Sequence, residues 1–151
     1  MTVTIHTKKQ NAPEINRDLL EITIRKALES QDKIIADVTL ILTDDIEIRH
    51  LNHVYRDVDQ TTDVLAFNQD FIDPETGQYY LGDIVISVDS AQRQALENNH
   101  LLLDELMLLA IHGTLHLLGF DHASAQQKDA MWKVQESILK NMKRNIQEDQ
   151  K

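Results

Sequence analysis

LLLDELMLLAIHGTLHLLGFDH, residues 101–122, offers almost no polar face, yet it contains three histidines and nearly ends on a glycine. From Leu102 to about Leu118 the run predicts a helix buried nearly all round, because a surface helix would carry a polar stripe. His112 and His116 are four apart and therefore share one helix face, one turn apart. Gly119 predicts the stop, since glycine readily takes the left-handed turn that ends a helix and reverses the chain. The reversal brings His122 back toward the other two. Buried imidazoles without partners would each cost about 1–3 kcal/mol. A metal ion held by His112, His116 and His122 removes that cost.

Three imidazoles suit zinc, and nickel, copper and iron are admissible on ligand type alone. Three protein ligands leave a fourth position open, which is the catalytic arrangement rather than the structural one. One zinc per chain is therefore expected, and zinc can bring the pKa of bound water to about 7. Position 113 argues against peptide hydrolysis. Zinc proteases with H-E-x-x-H use the Glu beside the first His as general base, and Gly113 stands in that place. Gly113 either lets the helix pack closely against a strand layer or clears space above the metal.

Outward from this helix the pattern alternates between short strands and helices. VTIHT (Val3 to Thr7) alternates as a half-buried strand does, and ADVTLIL (Ala36 to Leu42) reads as a central strand. Between them, Asn11-Ala12-Pro13 predicts the opening of a helix to about Ser30, with Ile15, Leu19, Ile22 and Leu28 as its apolar stripe. Asp44 and Glu47 form a capping-box pattern that starts a helix through Ile48, Leu51 and Tyr55. DVLAF (Asp63 to Phe67) and GDIVIS (Gly82 to Ser87) are strands separated by the turn residues Asp73 to Gly77. A helix follows from Val88 to about Asn98. Ser124 and Gln127 repeat the capping-box pattern and open a last helix carrying Met131, Trp132, Val134 and Ile138, with a polar tail from about 146. One α+β domain over 1–151, with a small mixed sheet and several helices, is expected.

The chain has 151 residues, enough for one domain with a sizeable core. It has 0 Cys, so thiolate metal sites and disulfides are excluded and any metal takes nitrogen and oxygen ligands. No run of 18 apolar residues spans a membrane, and the N-terminus lacks a signal-peptide pattern, so a cytoplasmic enzyme is expected. The net charge of −10 opposes a broad basic face for nucleic acid. A polyanion would have to meet a local basic group, a metal or a partner protein.

HGTLHLLGFDH (His112 to His122) resembles the signature of the YbeY family of single-strand-specific endoribonucleases. LNHVYRDVDQTTDVLAF (Leu51 to Phe67) is similar to that family's LN-x-x-YR-x-x-D-x-x-TDVL-S-F segment, and LGDIVIS (Leu81 to Ser87) to its GDI-x-I-S strand. The resemblance implies a zincin-like fold and a cytoplasmic, zinc-bound hydrolase. Its implied work is 16S rRNA 3′-end processing and 70S ribosome quality control. It makes His112, His116 and His122 the zinc ligands and Arg56 the catalytic arginine. The implied partners are single-stranded rRNA and the small ribosomal subunit or its proteins, met by a monomer. Ala66 replaces the family's serine, and Asn68 stands where proline is usual, a change expected to loosen the strand's exit.

Arg56 read alone is a helix-ending cation complementing the dipole, although its planar guanidinium also suits bidentate phosphate contact. Asp121 either orients an imidazole from behind or caps the loop. His50, His53 and His100 have no partner spacing and are expected at the surface, as are the scattered charges Lys8, Lys9, Arg25 and Lys26. A metalloprotease-like hydrolase and a non-catalytic, metal-stabilised ribosome-assembly factor are the competing functions. A fourth protein ligand closing the metal site would favour the assembly factor.

Overall fold

In the computed structural model, which describes residues 1–8, 13–33 and 35–149, a strand at Ala36–Thr43 (β2) organises the sheet. Its Ala36, Val38, Leu40 and Leu42 are buried on one face. β2 pairs in parallel with Val3–Thr7 (β1) on one side and Tyr79–Ser87 (β4) on the other. Val64–Ile72 (β3) runs antiparallel along the outer edge of β4, giving the order β1-β2-β4-β3. Five helices join them among the described residues: α1 (Arg17–Ser30), α2 (Asp45–Arg56), α3 (Val88–Glu97), α4 (Leu102–Leu117) and α5 (Ala125–Asp149). A mixed α+β domain results, as the alternation in the sequence predicts.

The two faces of the sheet are covered unequally. α1, α4 and α5 build the main core on one face, where Leu20, Ile24, Leu40, Ile84, Leu106 and Met107 are all fully buried. On the other face, among the described residues, α2 packs and places Ile48 against Leu65 and Val85. α4 lies at the centre of the larger side and is buried almost all round, so its histidines can face outward only where its last turns meet the edge strand β3.

Gly113 is explained by this position. A Cβ there would lie 2.6 Å from Cγ2 of Ile84, which is itself fully buried on β4. The packing role therefore accounts for the glycine. Alanine would gain about 1 kcal/mol of helix propensity but overpack at a cost of roughly 1–3 kcal/mol. Gly113→Ala should lower stability, and truncating Ile84 to Ala should shrink that cost in a double-mutant cycle read by denaturant unfolding. Stabilisation by Gly113→Ala with no coupling to Ile84 would contradict the packing account.

Four local expectations are corrected. α1 begins at Arg17 rather than at Pro13, because the Asn16 side chain accepts the Leu19 amide (3.1 Å) and caps the helix there; Asn11 and Ala12 lie outside the described residues. The buried stripe of α1 is Leu20, Ile24, Ala27 and Leu28, whereas Ile22 is 42% exposed. β3 continues past Phe67 to Ile72 because β4 pairs with it across a bulge between Asn68 and Phe71, at which Asp70 takes a positive φ of 46°. Asn68 does not loosen the strand either: its Nδ2 donates to the Leu117 carbonyl (2.7 Å) and ties β3 to the end of α4.

Candidate metal centre

The end of α4 is built as the sequence suggests. Gly119, at φ +99°, donates to the His116 carbonyl, and the Phe120 amide donates to the Leu115 carbonyl, each at 3.0 Å. This pair of bonds is a Schellman stop, and it satisfies carbonyls that the helix would otherwise leave bare. The chain then doubles back. Asp121 Oδ1 accepts the His122 amide (2.7 Å), so this aspartate caps the loop. Past His122, Ser124 and Gln127 exchange hydrogen bonds, each 3.1 Å, as a complete capping box at the start of α5.

The three histidines meet. Their ring centroids are 4.6 Å (His112–His116), 4.9 Å (His116–His122) and 5.6 Å (His112–His122) apart. One nitrogen from each lies within 4.8 Å of the others. Nε2 of His112 and Nε2 of His116 face each other at 3.0 Å, close to the roughly 3.3 Å between two nitrogens bound to one tetrahedral zinc at about 2.0–2.1 Å. The opposite nitrogen of His112, Nδ1, is engaged 2.6 Å from Oε1 of Gln135, a side chain only 4% exposed on α5. An amide oxygen can only accept, so Nδ1 carries the proton and the Nε2 lone pair is left for a metal. A partner behind the ligand is how metal-binding imidazoles are commonly oriented. The donor set fits a metal ion.

Burial lowers the pKa of His112, with the nearby His122 adding to the effect and the Gln135 bond opposing it. His116 is lowered by burial first and then by His112 and His122. Both rings therefore keep the neutral, ligating form to lower pH than an ordinary histidine does. The unfolded chain takes up protons at these positions near pH 6.5, while the folded chain resists until lower pH. Metal-stripped protein should therefore lose stability as pH falls below about 6.5 toward the folded values, and lose none on that account above it. Denaturant midpoints measured from about pH 8 to about pH 5 check this, with a His112→Ala/His116→Ala double variant losing that part of the slope. An unchanged slope in the double variant would assign the effect to other groups.

A cleft of about 550 Å³ opens in front of the histidines, and Arg56 and Asp63 line it with them. Arg56 is the last residue of α2. Asp57 follows in the left-handed region (φ 58°), a conformation aspartate tolerates better than most residues, and it turns the chain away. Arg56 Nη2 donates to the Ala66 carbonyl of β3 (2.6 Å), and the guanidinium carbon lies 5.4 Å from the centroid of the Phe67 ring. Asp63 is steadied by Gln94 Nε2, which donates to its Oδ2 at 3.1 Å.

Asp63 and Gln135 were not singled out by the sequence reading. The signal for Gln135 was present: it interrupts the buried stripe Met131, Ile138 and Met142 of α5 with an amide. His50, His53 and His100 are exposed and away from the cluster, as their spacing implies. Lys8, Arg25 and Lys26 pair with Glu47, Glu21 and Glu29, so they are solvated ion pairs rather than a patch; Lys9 lies outside the described residues. No helix among the described residues is long and apolar enough to cross a membrane.

Comparison with known proteins extends the likeness to nearly the whole chain. A family model described as Endoribonuclease YbeY matches residues 3–143. A protein named Endoribonuclease YbeY from Desulfitobacterium hafniense is 40% identical over 152 residues, covering 92% of this chain and 96% of its own length. One of the same name from Heliobacterium modesticaldum is 45% identical over 115 residues, or 70% of this chain and 69% of that protein. The solution structure of TM1509 from Thermotoga maritima matches with a TM-score of 0.64 at 26% identity, covering 97% of this chain and 93% of that one.

Proposed function

The chain belongs to the Endoribonuclease YbeY family, and from that premise we propose that it is a zinc-dependent endoribonuclease that cuts unpaired RNA. Its place in the cell is the cytoplasm, where as a monomer it matures the 3′ end of 16S rRNA and serves ribosome quality control on or near the small subunit. The observation that carries the reading is the shared cleft, in which three convergent imidazoles stand with one arginine. A chain of net charge −10 needs such a local anion site if it handles RNA.

His112, His116 and His122 would hold zinc, which when bound supplies a Lewis acid toward a phosphoryl oxygen and an acidified water. The chain's own residues do the rest. Arg56 spends one N–H on Ala66 and is steadied by the Phe67 ring, so its remaining donors can take a phosphate whose charge grows in the transition state. Asp63, held by Gln94, supplies a carboxylate beside His112 able to accept the proton of the attacking hydroxyl. The protease alternative has no acid at position 113, where Ile84 leaves no room for a side chain. The assembly-factor alternative is weakened because the metal-capable cluster among the described residues has three members rather than four.

The test is cleavage of one RNA strand by the purified protein, alone and annealed to its complement. The single strand should be cut and the duplex largely spared, since the cleft offers no long basic track for a double helix. Equal rates on both would overturn the single-strand assignment, and no cleavage of either would overturn the nuclease.

A further inference from the structure

A second cavity of about 550 Å³ lies between α4 and α5 and shares Asp63, His112 and His122 with the metal-centre cleft, so the two adjoin. Leu109, Met131 and Trp132 form its apolar walls, and Glu105 lines it as well. Trp132 is 54% exposed, although its neighbour Met131 is buried in the core. Glu105 is only 6% exposed, and its carboxylate has no hydrogen bond or ion pair among the described residues. Burial pushes this carboxyl above its ordinary range, with the neighbouring His100 opposing the effect. The indole stands open, and the carboxylate oxygens of the nearly buried Glu105 are not sealed from solvent, so both groups can meet a ligand in this one cavity.

We propose that this cavity is a nucleobase subsite, selective for guanine, in which Trp132 stacks on the base and Glu105 accepts its Watson–Crick N–H groups. The inference rests on reading the adjoining cleft as an RNA-cleaving centre. Stacking on an exposed aromatic is how proteins hold unpaired bases. A carboxylate presents two acceptors and no donor, and guanine alone among the four bases offers two neighbouring donors, N1–H and the 2-amino group, on that edge. Lys128, which lines the cavity and forms no ion pair among the described residues, can meet a flanking phosphate. The subsite also gives a physical cause for single-strand preference. A guanine paired in a duplex has its Watson–Crick edge occupied and its faces stacked, so it can neither reach Glu105 nor lie on Trp132.

Trp132 is the chain's only tryptophan, so its fluorescence reports this cavity without any requirement for catalysis. The full chain is titrated with guanosine, adenosine, cytidine and uridine 5′-monophosphates, with ribose 5-phosphate as the baseless control. Guanosine monophosphate should quench saturably and bind roughly tenfold or more tighter than the other three, and ribose phosphate should not quench. Glu105→Gln should erase that preference while quenching by bases persists. As a second variant, Trp132→Ala truncates a largely exposed side chain and should raise KM for single-stranded RNA about tenfold with a smaller change in kcat. Absence of saturable quenching by any nucleotide, quenching by ribose phosphate equal to that by guanosine monophosphate, or an unchanged preference in Glu105→Gln would each overturn the subsite. A protein that cuts RNA yet shows no quenching refutes the subsite alone. One that binds guanosine monophosphate and cuts no RNA refutes the nuclease reading alone.

Discussion

Replacing His116 by alanine should empty the metal position and reduce RNA cleavage to background while leaving the fold standing. His116 is one of three groups whose nitrogens converge, and the other two imidazoles alone leave a site short of the ligands that zinc requires. The fold should persist because alanine is the best helix former and this side chain sits at the half-buried mouth of the cleft, not in the core. The loss has a second signature. Ligand binding to the folded state stabilises it by about 2.7 kcal/mol at a hundredfold excess over Kd, so wild-type protein should melt higher with added zinc. His116→Ala should show no such rise. Elemental analysis, a melt with and without zinc, and a cleavage assay check the three parts together. Full metal content with full activity in the variant would remove His116 from the site.

Arg56→Ala should cut turnover by a factor on the order of a hundred or more, with little change in melting temperature. Two accounts of this residue differ in what they expect. If Arg56 only complements the end of α2, its loss costs about 0.3–1 kcal/mol of stability and no chemistry. Its bond to Ala66 and its place over Phe67 instead fix the guanidinium along the cleft wall. Arg56→Lys keeps the charge but loses the planar fork, so it should recover only part of the rate. Metal content should be unchanged in both variants, since arginine is not a ligand. Single-turnover rates measured beside a thermal melt decide the matter, and full activity in Arg56→Ala would return the residue to helix capping.

Where one local rule dominates, the sequence predicts this molecule well. The stop at Gly119, the caps at Asp44 and Ser124, and the central place of β2 each follow from a short pattern whose physics is local. The histidine cluster belongs with them, because helix periodicity and one turn bring its members together. The start of α1 is ambiguous in the sequence because Pro13 and Asn16 are both start signals, and only the bond to the Leu19 amide distinguishes them. The far half of β3 was hidden for the opposite reason: Asn68, Gln69 and Asp70 are poor strand formers, and pairing to β4 supplies what propensity does not. Gln135 lies 23 residues from His112, and only the packing of α5 on α4 joins them. The reason for Gly113 likewise resides in Ile84, a strand away.

Cleavage should depend on a metal ion held by His112, His116 and His122. Protein stripped with a chelator and reloaded with increasing zinc, assayed on single-stranded RNA with metal content measured at each point, tests it most directly. Cleavage should be absent from the stripped protein and rise in proportion to bound zinc until one ion per chain is reached. Undiminished cleavage by metal-free protein would contradict the claim.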